Sequence, residues 1–182
     1  MKIELRENSV HLEGYINAVG RQSKELYDAL NGHFVEIVEP GAFNNSLLLN
    51  PDIPLLLNHI NEREIARNNK NLTLKEDNIG LHFSADITDA EVVLLAKTGD
   101  LVGCSFGFRD KQVDIKKREG KISTRLLREI DLMEVSILST GHCPAYYGTL
   151  VEAREENVQP TEIRYIDSDI YEKELLIIKT YL

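Results

Sequence analysis

Ser105 stands between two glycines in Gly103-Cys104-Ser105-Phe106-Gly107-Phe108, an otherwise apolar and aromatic run. Read as a strand, the run puts Gly103, Ser105 and Gly107 on one face and Cys104, Phe106 and Phe108 on the other. The hydroxyl face is therefore stripped of bulk. Glycine inside a strand often marks a place where a ligand or another backbone approaches closely. Gly103 and Gly107 thus read as the substrate-binding floor of a peptide-sized slot around a nucleophile. A bend or barrel corner with an incidental serine is the structural alternative.

A serine hydroxyl becomes a useful nucleophile when a base takes its proton and a third group orients that base. His59 closes the apolar run Pro54-Leu55-Leu56-Leu57-Asn58-His59, read as a buried strand whose polar end reaches a cleft. His11, His33 and His82 occupy alternating positions inside strands and read as structural, while His142 sits in a loop before Pro144. Among the acids, Glu134 differs from the rest because it lies in Leu132-Met133-Glu134-Val135-Ser136-Ile137-Leu138. Alternation groups Glu134 with Ser136 and Leu138, and a carboxylate in so apolar a run needs a partner, which an imidazole supplies. An outward-facing glutamate on a half-solvated strand is the alternative. The residue types nominate Ser105, His59 and Glu134 without showing that they meet.

The elements that must position these groups are short strands with one or two helices. Strand-like segments run from Lys2 to Arg6, Val10 to Val19, His33 to Val38, Glu64 to Ala66, Leu72 to Lys75 and Gly80 to Ile87. Residues 20–32 read as a polar, irregular stretch. Helical spacing appears over 42–49, and a helix is predicted over 89–99, with Thr88 or Asp89 as cap and Gly99 as terminator. The segments Gln112–Lys117 and Lys121–Arg128 read as a charged hairpin whose tip carries Lys116-Lys117-Arg118. From about residue 151 the chain becomes acidic and polar, and Ile170–Leu182 can form a short amphipathic helix. The domain reading is one unit over 1–150 with a tail over 151–182. The fold class is α+β and β-rich, a barrel or strongly curved sheet flanked by a few helices.

Composition narrows the classes. The chain has 182 residues and a net charge of -9, which suits one domain and argues against a partner held through nucleic-acid phosphates. No apolar run reaches the roughly 20 residues that span a bilayer, and the first residues read as a strand rather than a signal peptide, so a cytoplasmic protein is expected. The two cysteines, Cys104 and Cys143, are too few for a disulfide framework and lack metal-ligand spacing. Either could be the nucleophile instead of Ser105, but Cys104 falls on the packed face with Phe106 and Phe108.

Seven segments in order carry a resemblance: Gly14-Tyr15-Ile16-Asn17-Ala18, Ile37-Val38-Glu39-Pro40-Gly41-Ala42-Phe43, Leu56-Leu57-Asn58-His59, Leu74-Lys75-Glu76-Asp77-Asn78-Ile79-Gly80-Leu81, Gly103 to Phe108, Glu134-Val135-Ser136-Ile137 and Pro144-Ala145-Tyr146. Over roughly residues 10 to 150 the series resembles the prohead (capsid maturation) serine proteases of tailed bacteriophages. That family is similar to the herpesvirus assembly protease, which implies a mixed β-barrel surrounded by helices and, from that comparison alone, a homodimer, with a higher homo-oligomer as the alternative. The resemblance implies peptide-bond hydrolysis with the Asn-His element carrying the base, His59, and the Ser-Phe-Gly-Phe element carrying the nucleophile, Ser105. Where the herpesvirus enzymes place a second histidine, this chain offers Glu134. By the same analogy the oxyanion donors come from the loop near Gly141 and His142.

The implied substrates are the major capsid protein and the scaffold protein, cut inside an assembling procapsid in the host cytoplasm, with self-cleavage within residues 152–169. No metal or organic cofactor is implied, nor any nucleic-acid or membrane partner. A catalytically inactive scaffold or assembly module on the same fold is the alternative. Two departures stand out: Ile60 follows the histidine where many relatives carry a polar residue, and the tail after Leu150 has no counterpart.

Overall fold

A computed structural model describes residues 1–28, 32–117 and 120–146, together with the backbone of residues 160–161. In chain order the elements are β1 (Lys2–Leu5), β2 (Val10–Ala18), β3 (Leu26–Asp28), β4 (Gly32–Val38), α1 (Ala42–Leu49), β5 (Pro54–Leu57), β6 (Glu64–Arg67), β7 (Leu72–Glu76), β8 (Gly80–Ile87), α2 (Ala90–Thr98), β9 (Leu101–Lys116), β10 (Ser123–Ser139), β11 (Cys143–Pro144) and β12 (Pro160–Thr161). The chain is β-rich with two helices among these residues, in keeping with an α+β class. The described strands pair as a four-stranded sheet, β1-β2-β8-β7, a six-stranded sheet built on β10, and the short β11-β12 pair. Among the described residues these sheets do not close into one barrel ladder. Both larger sheets contribute to a single apolar core, with Leu12, Phe83 and Ala85 from one and Phe34, Leu55, Phe106 and Phe108 from the other.

The two long strands organise the six-stranded sheet. β9 runs antiparallel along the whole of β10, while the opposite edge of β10 is shared by two parallel strands. β4 takes residues 123–127 of β10 and β5 takes residues 135–137. Between these stretches the edge of β10 has no strand partner among the described residues, and α1 packs there. Its Ser46, buried mid-helix, accepts the backbone N–H of Leu132 at 2.8 Å. A side-chain oxygen thus supplies the ladder bond that a neighbouring strand would otherwise make. Farther along, Arg125 of β10 pairs with the buried Glu36 of β4 at 2.8 Å and with Asp110 of β9, tying three strands together.

Several elements form as the sequence predicts. Asp89 caps α2, its side chain accepting N–H bonds from Glu91 and Val92, and Gly99 ends the helix in the left-handed region at φ 79°. The polar stretch after Gly20 is more ordered than its composition implies. It contains β3, which pairs with β4, and an isolated bridge joins Gln22 to Ile37. Burial against the sheet outweighs weak local propensity here. The charged hairpin and the strand over 132–138 are parts of the same continuous pair, β9 and β10. Arg118 and Glu119 of its tip lie outside the described residues, as does the expected tail helix. No described helix is long and apolar enough to cross a membrane.

Replacing Ser46 with alanine strands the buried N–H of Leu132, and the loss is expected to be about 1–3 kcal/mol of unfolding free energy. Urea unfolding followed by circular dichroism measures it. A loss within a few tenths of a kcal/mol would contradict the bridging role given to α1.

Candidate active site

The site rests on an offset in the β9–β10 ladder. Leu132 is opposite Phe108, but the next pair is Glu134 opposite Gly107, so Met133 is an extra residue on β10. Residues directly opposite in an antiparallel pair share a face. With unbroken register, Glu134 would stand beside Phe106 on the packed core face, and Ser136 beside Cys104. The one-residue bulge instead pairs Glu134 with Gly107, Ser136 with Ser105 and Leu138 with Gly103. Two polar side chains thereby move from the core face to the serine face, a re-aiming that bulges commonly perform. Val135 and Ile137 remain in the core with Phe106 and Cys104.

His59 arrives from the other edge of β10. The sequence predicts a strand through His59, but β5 ends at Leu57 and the chain turns sharply. Asn58 and His59 both adopt left-handed backbone conformations, with φ of 56° and 61°. Such angles are unfavourable for most non-glycine residues, Asn being among the more tolerant. Local bonds hold the turn. The Asn58 N–H continues the ladder by donating to Ile137 O at 2.9 Å. The Asn58 side-chain carbonyl then accepts the Ser139 N–H at 2.8 Å, while Nδ2 donates to Ser139 Oγ at 2.9 Å. An amide side chain thus continues the pairing while the backbone leaves the sheet. At the far end of the loop, Arg63 pairs with Asp89 and Glu91 at the start of α2.

The turn puts the His59 imidazole against Glu134. Nδ1 lies 2.7 Å from Glu134 Oε1, with the two side chains 1% and 2% exposed. With the carboxylate ionised, Nδ1–H is the donor and Nε2 is the basic nitrogen of a neutral ring. Nε2 is buried and has no hydrogen-bond partner in the described structure. Ser136 links the same groups: its hydroxyl donates to Glu134 Oε2 at 2.6 Å and accepts the His59 backbone N–H at 3.2 Å. Ser105 is buried on this face, two residues along β9 from the Glu134–Gly107 pair, and its hydroxyl is not hydrogen-bonded to His59 Nε2. The arrangement offers an oriented, buried base and a nearby serine face, suited to nucleophilic acyl transfer.

The other nominated residues fall as follows. Gly103 and Gly107 are buried on the serine face. Gly141 is left-handed at φ 95°, in the turn that follows β10. The His142 backbone N–H donates to Ser139 O at 3.1 Å, so that donor is already engaged. Cys104 is buried among the core side chains, and burial pushes its thiol up to about 12. A thiol held protonated in this way is a poor nucleophile. Among the described residues no group of three or more His, Cys, Asp or Glu side chains gathers to hold a metal ion. Sequence reasoning gave Ser136 no role; its only signal was the face it shares with Glu134.

The sequence model of the Caudovirus prohead serine protease family matches residues 1–164, so the tail expected to have no counterpart after Leu150 has one as far as residue 164. The chain belongs to that family. No curated protein matches it, and no solved structure does.

Asn58 separates backbone strain from side-chain bonding. Asn58→Gly removes the two side-chain bonds and relieves the left-handed strain, with an expected loss of about 1–2 kcal/mol. Asn58→Ala removes the bonds and keeps the strain, and is expected to lose about 1 kcal/mol more. Chemical denaturation of both variants checks the order; an alanine variant as stable as the glycine variant would contradict it.

Proposed function

We propose that this member of the prohead serine protease family is an endopeptidase that trims the scaffold protein or the scaffolding arm of the capsid protein inside an assembling procapsid. Ser105 is the nucleophile, His59 the general base and Glu134 the group that orients it. The observation that carries the reading is the buried 2.7 Å contact between His59 Nδ1 and Glu134 Oε1, made on the face of the β9–β10 ladder that holds Ser105. The protease unit spans residues 1–150, and the acidic segment over 152–169 is a self-cleavage region.

The chemistry follows from the proton positions. Nε2 takes the proton from Ser105 Oγ as the oxygen attacks the scissile carbonyl, and the resulting imidazolium is stabilised by the Glu134 carboxylate at Nδ1. The same proton then passes to the leaving amine, and water hydrolyses the acyl-enzyme by the reverse path. Gly103 and Gly107 provide backbone clearance for the substrate chain around the nucleophile. Of the two nominated residues in the loop after β10, Gly141 is the better oxyanion donor, since the His142 N–H is bonded to Ser139. The desolvation cost of burying the carboxylate is offset by its bonds to His59 and Ser136, and removing either partner leaves an undercompensated charge.

Co-expression of the full chain with its capsid protein tests the assignment. Ser105→Ala is expected to slow trimming by at least about 1,000-fold, leaving the capsid protein full length on gels. His59→Ala gives the same outcome. Site-specific trimming that persists in Ser105→Ala overturns the reading.

A further inference from the structure

Resting on that assignment of the base and its acid, we infer that Ser136 is a positioning residue of the site: its hydroxyl holds Glu134 and the His59 backbone in the geometry that keeps the imidazole basic at Nε2. Ser136 is fully buried, and its Oγ is bonded to both groups that flank it. A hydroxyl has one proton to give and two lone pairs to receive with. An ionised carboxylate has no proton, so the 2.6 Å contact with Glu134 Oε2 uses the single Ser136 proton. The 3.2 Å contact from the His59 N–H uses one lone pair.

Three consequences follow from this division. Fully buried, and with a lone pair taken by the His59 N–H, Ser136 is poorly placed to attack a substrate even though it stands directly opposite Ser105 in the ladder. With one bond on each oxygen, the Glu134 carboxylate is fixed in its plane, so Oε1 meets Nδ1 at 2.7 Å rather than rotating away. The His59 N–H bond, finally, ties the left-handed turn to the same strand that carries the acid. One side chain thus couples the position of the base to the position of the acid.

Among the described residues, Ser136 is the group that holds Oε2. Its register neighbours are Leu56 on β5 and Ser105 on β9, both uncharged. The facing position for Glu134 on β9 is Gly107. The titratable groups brought to Ser136 by these elements and by the 58–59 turn are therefore His59 and Glu134. Removing the hydroxyl leaves Oε2 unheld, so Oε1 is no longer fixed on Nδ1 and the tautomer with a basic Nε2 loses its support.

The test uses the full chain in the Ser105→Ala background, where readout does not depend on turnover. Nitrogen-15 imidazole NMR at one pH follows the His59 tautomer with and without Ser136→Ala, with His59→Gln identifying its signals. The tautomer with the proton at Nδ1 is expected to lose its dominance in Ser136→Ala and to regain it in Ser136→Thr, which restores the hydroxyl. In the Ser105 chain, Ser136→Ala is expected to slow phosphonate labelling by about 10- to 100-fold. A merely structural role lowers the folded fraction, seen by circular dichroism, without changing the tautomer signal of the folded molecules. An unchanged His59 tautomer signal in folded Ser136→Ala overturns the inference. Failure of Ser105 as nucleophile leaves the NMR result standing and is detected separately by labelling of Ser105→Ala.

Discussion

The one-residue offset at Met133 is the constraint on which the site depends. Strand side chains alternate with a period of two, so a single inserted residue exchanges the faces of everything beyond it. Here it leaves Leu132 in the core with Phe108 and turns Glu134 and Ser136 toward Ser105. Without it a carboxylate would be driven among Phe106 and its neighbours, where an unpaired charge costs several kcal/mol. The apolar side chains favour the observed register for the same reason. Val135 and Ile137 fill the core only when the bulge is in place, so core packing and site geometry select one alignment together.

The second requirement is that His59 reach Glu134 from a different strand. A continuing β5 would carry residue 59 along the sheet. The consecutive left-handed residues divert the chain, and the strain is offset by the bonds of Asn58 to Ile137 and Ser139 and of His59 to Ser136. The partners of these bonds lie on β10. The same strand therefore carries Glu134, the Ser136 hydroxyl bonded to it, and the anchor for the turn that holds His59. α1 secures β10 just before the bulge through Ser46, so the support reaches from the edge of the sheet to the buried pair.

Much of this was legible in the sequence where the signals are local. The alternation around Ser105 separates its face from Cys104 and Phe106, and the buried aromatic cluster, including the 5.1 Å contact of Phe43 with Phe106, agrees with it. The Asp89 cap and Gly99 terminator locate α2 for reasons confined to a few residues. The ordered motifs pointed to the family, and the matched region bears that out. What was not legible depends on pairing between distant segments. Nothing in Leu132-Met133-Glu134 marks a bulge, because the offset exists only relative to β9. The role of Ser136 follows from that offset, and the bond of Ser46 to Leu132 exists only once α1 lies in the gap between β4 and β5. Arg125 read as one more charge in a hairpin, although its pairing with Glu36 and Asp110 crosses three strands.

The central claim is that the His59–Glu134 pair activates Ser105. Its most direct measurement is the site of covalent modification by a serine-directed phosphonate, read by peptide mass spectrometry on the intact, folded chain. The account predicts a single adduct on Ser105 that disappears on heat denaturation and in His59→Ala. An adduct on Ser136 or another residue, or labelling of Ser105 that is indifferent to His59→Ala, would contradict it.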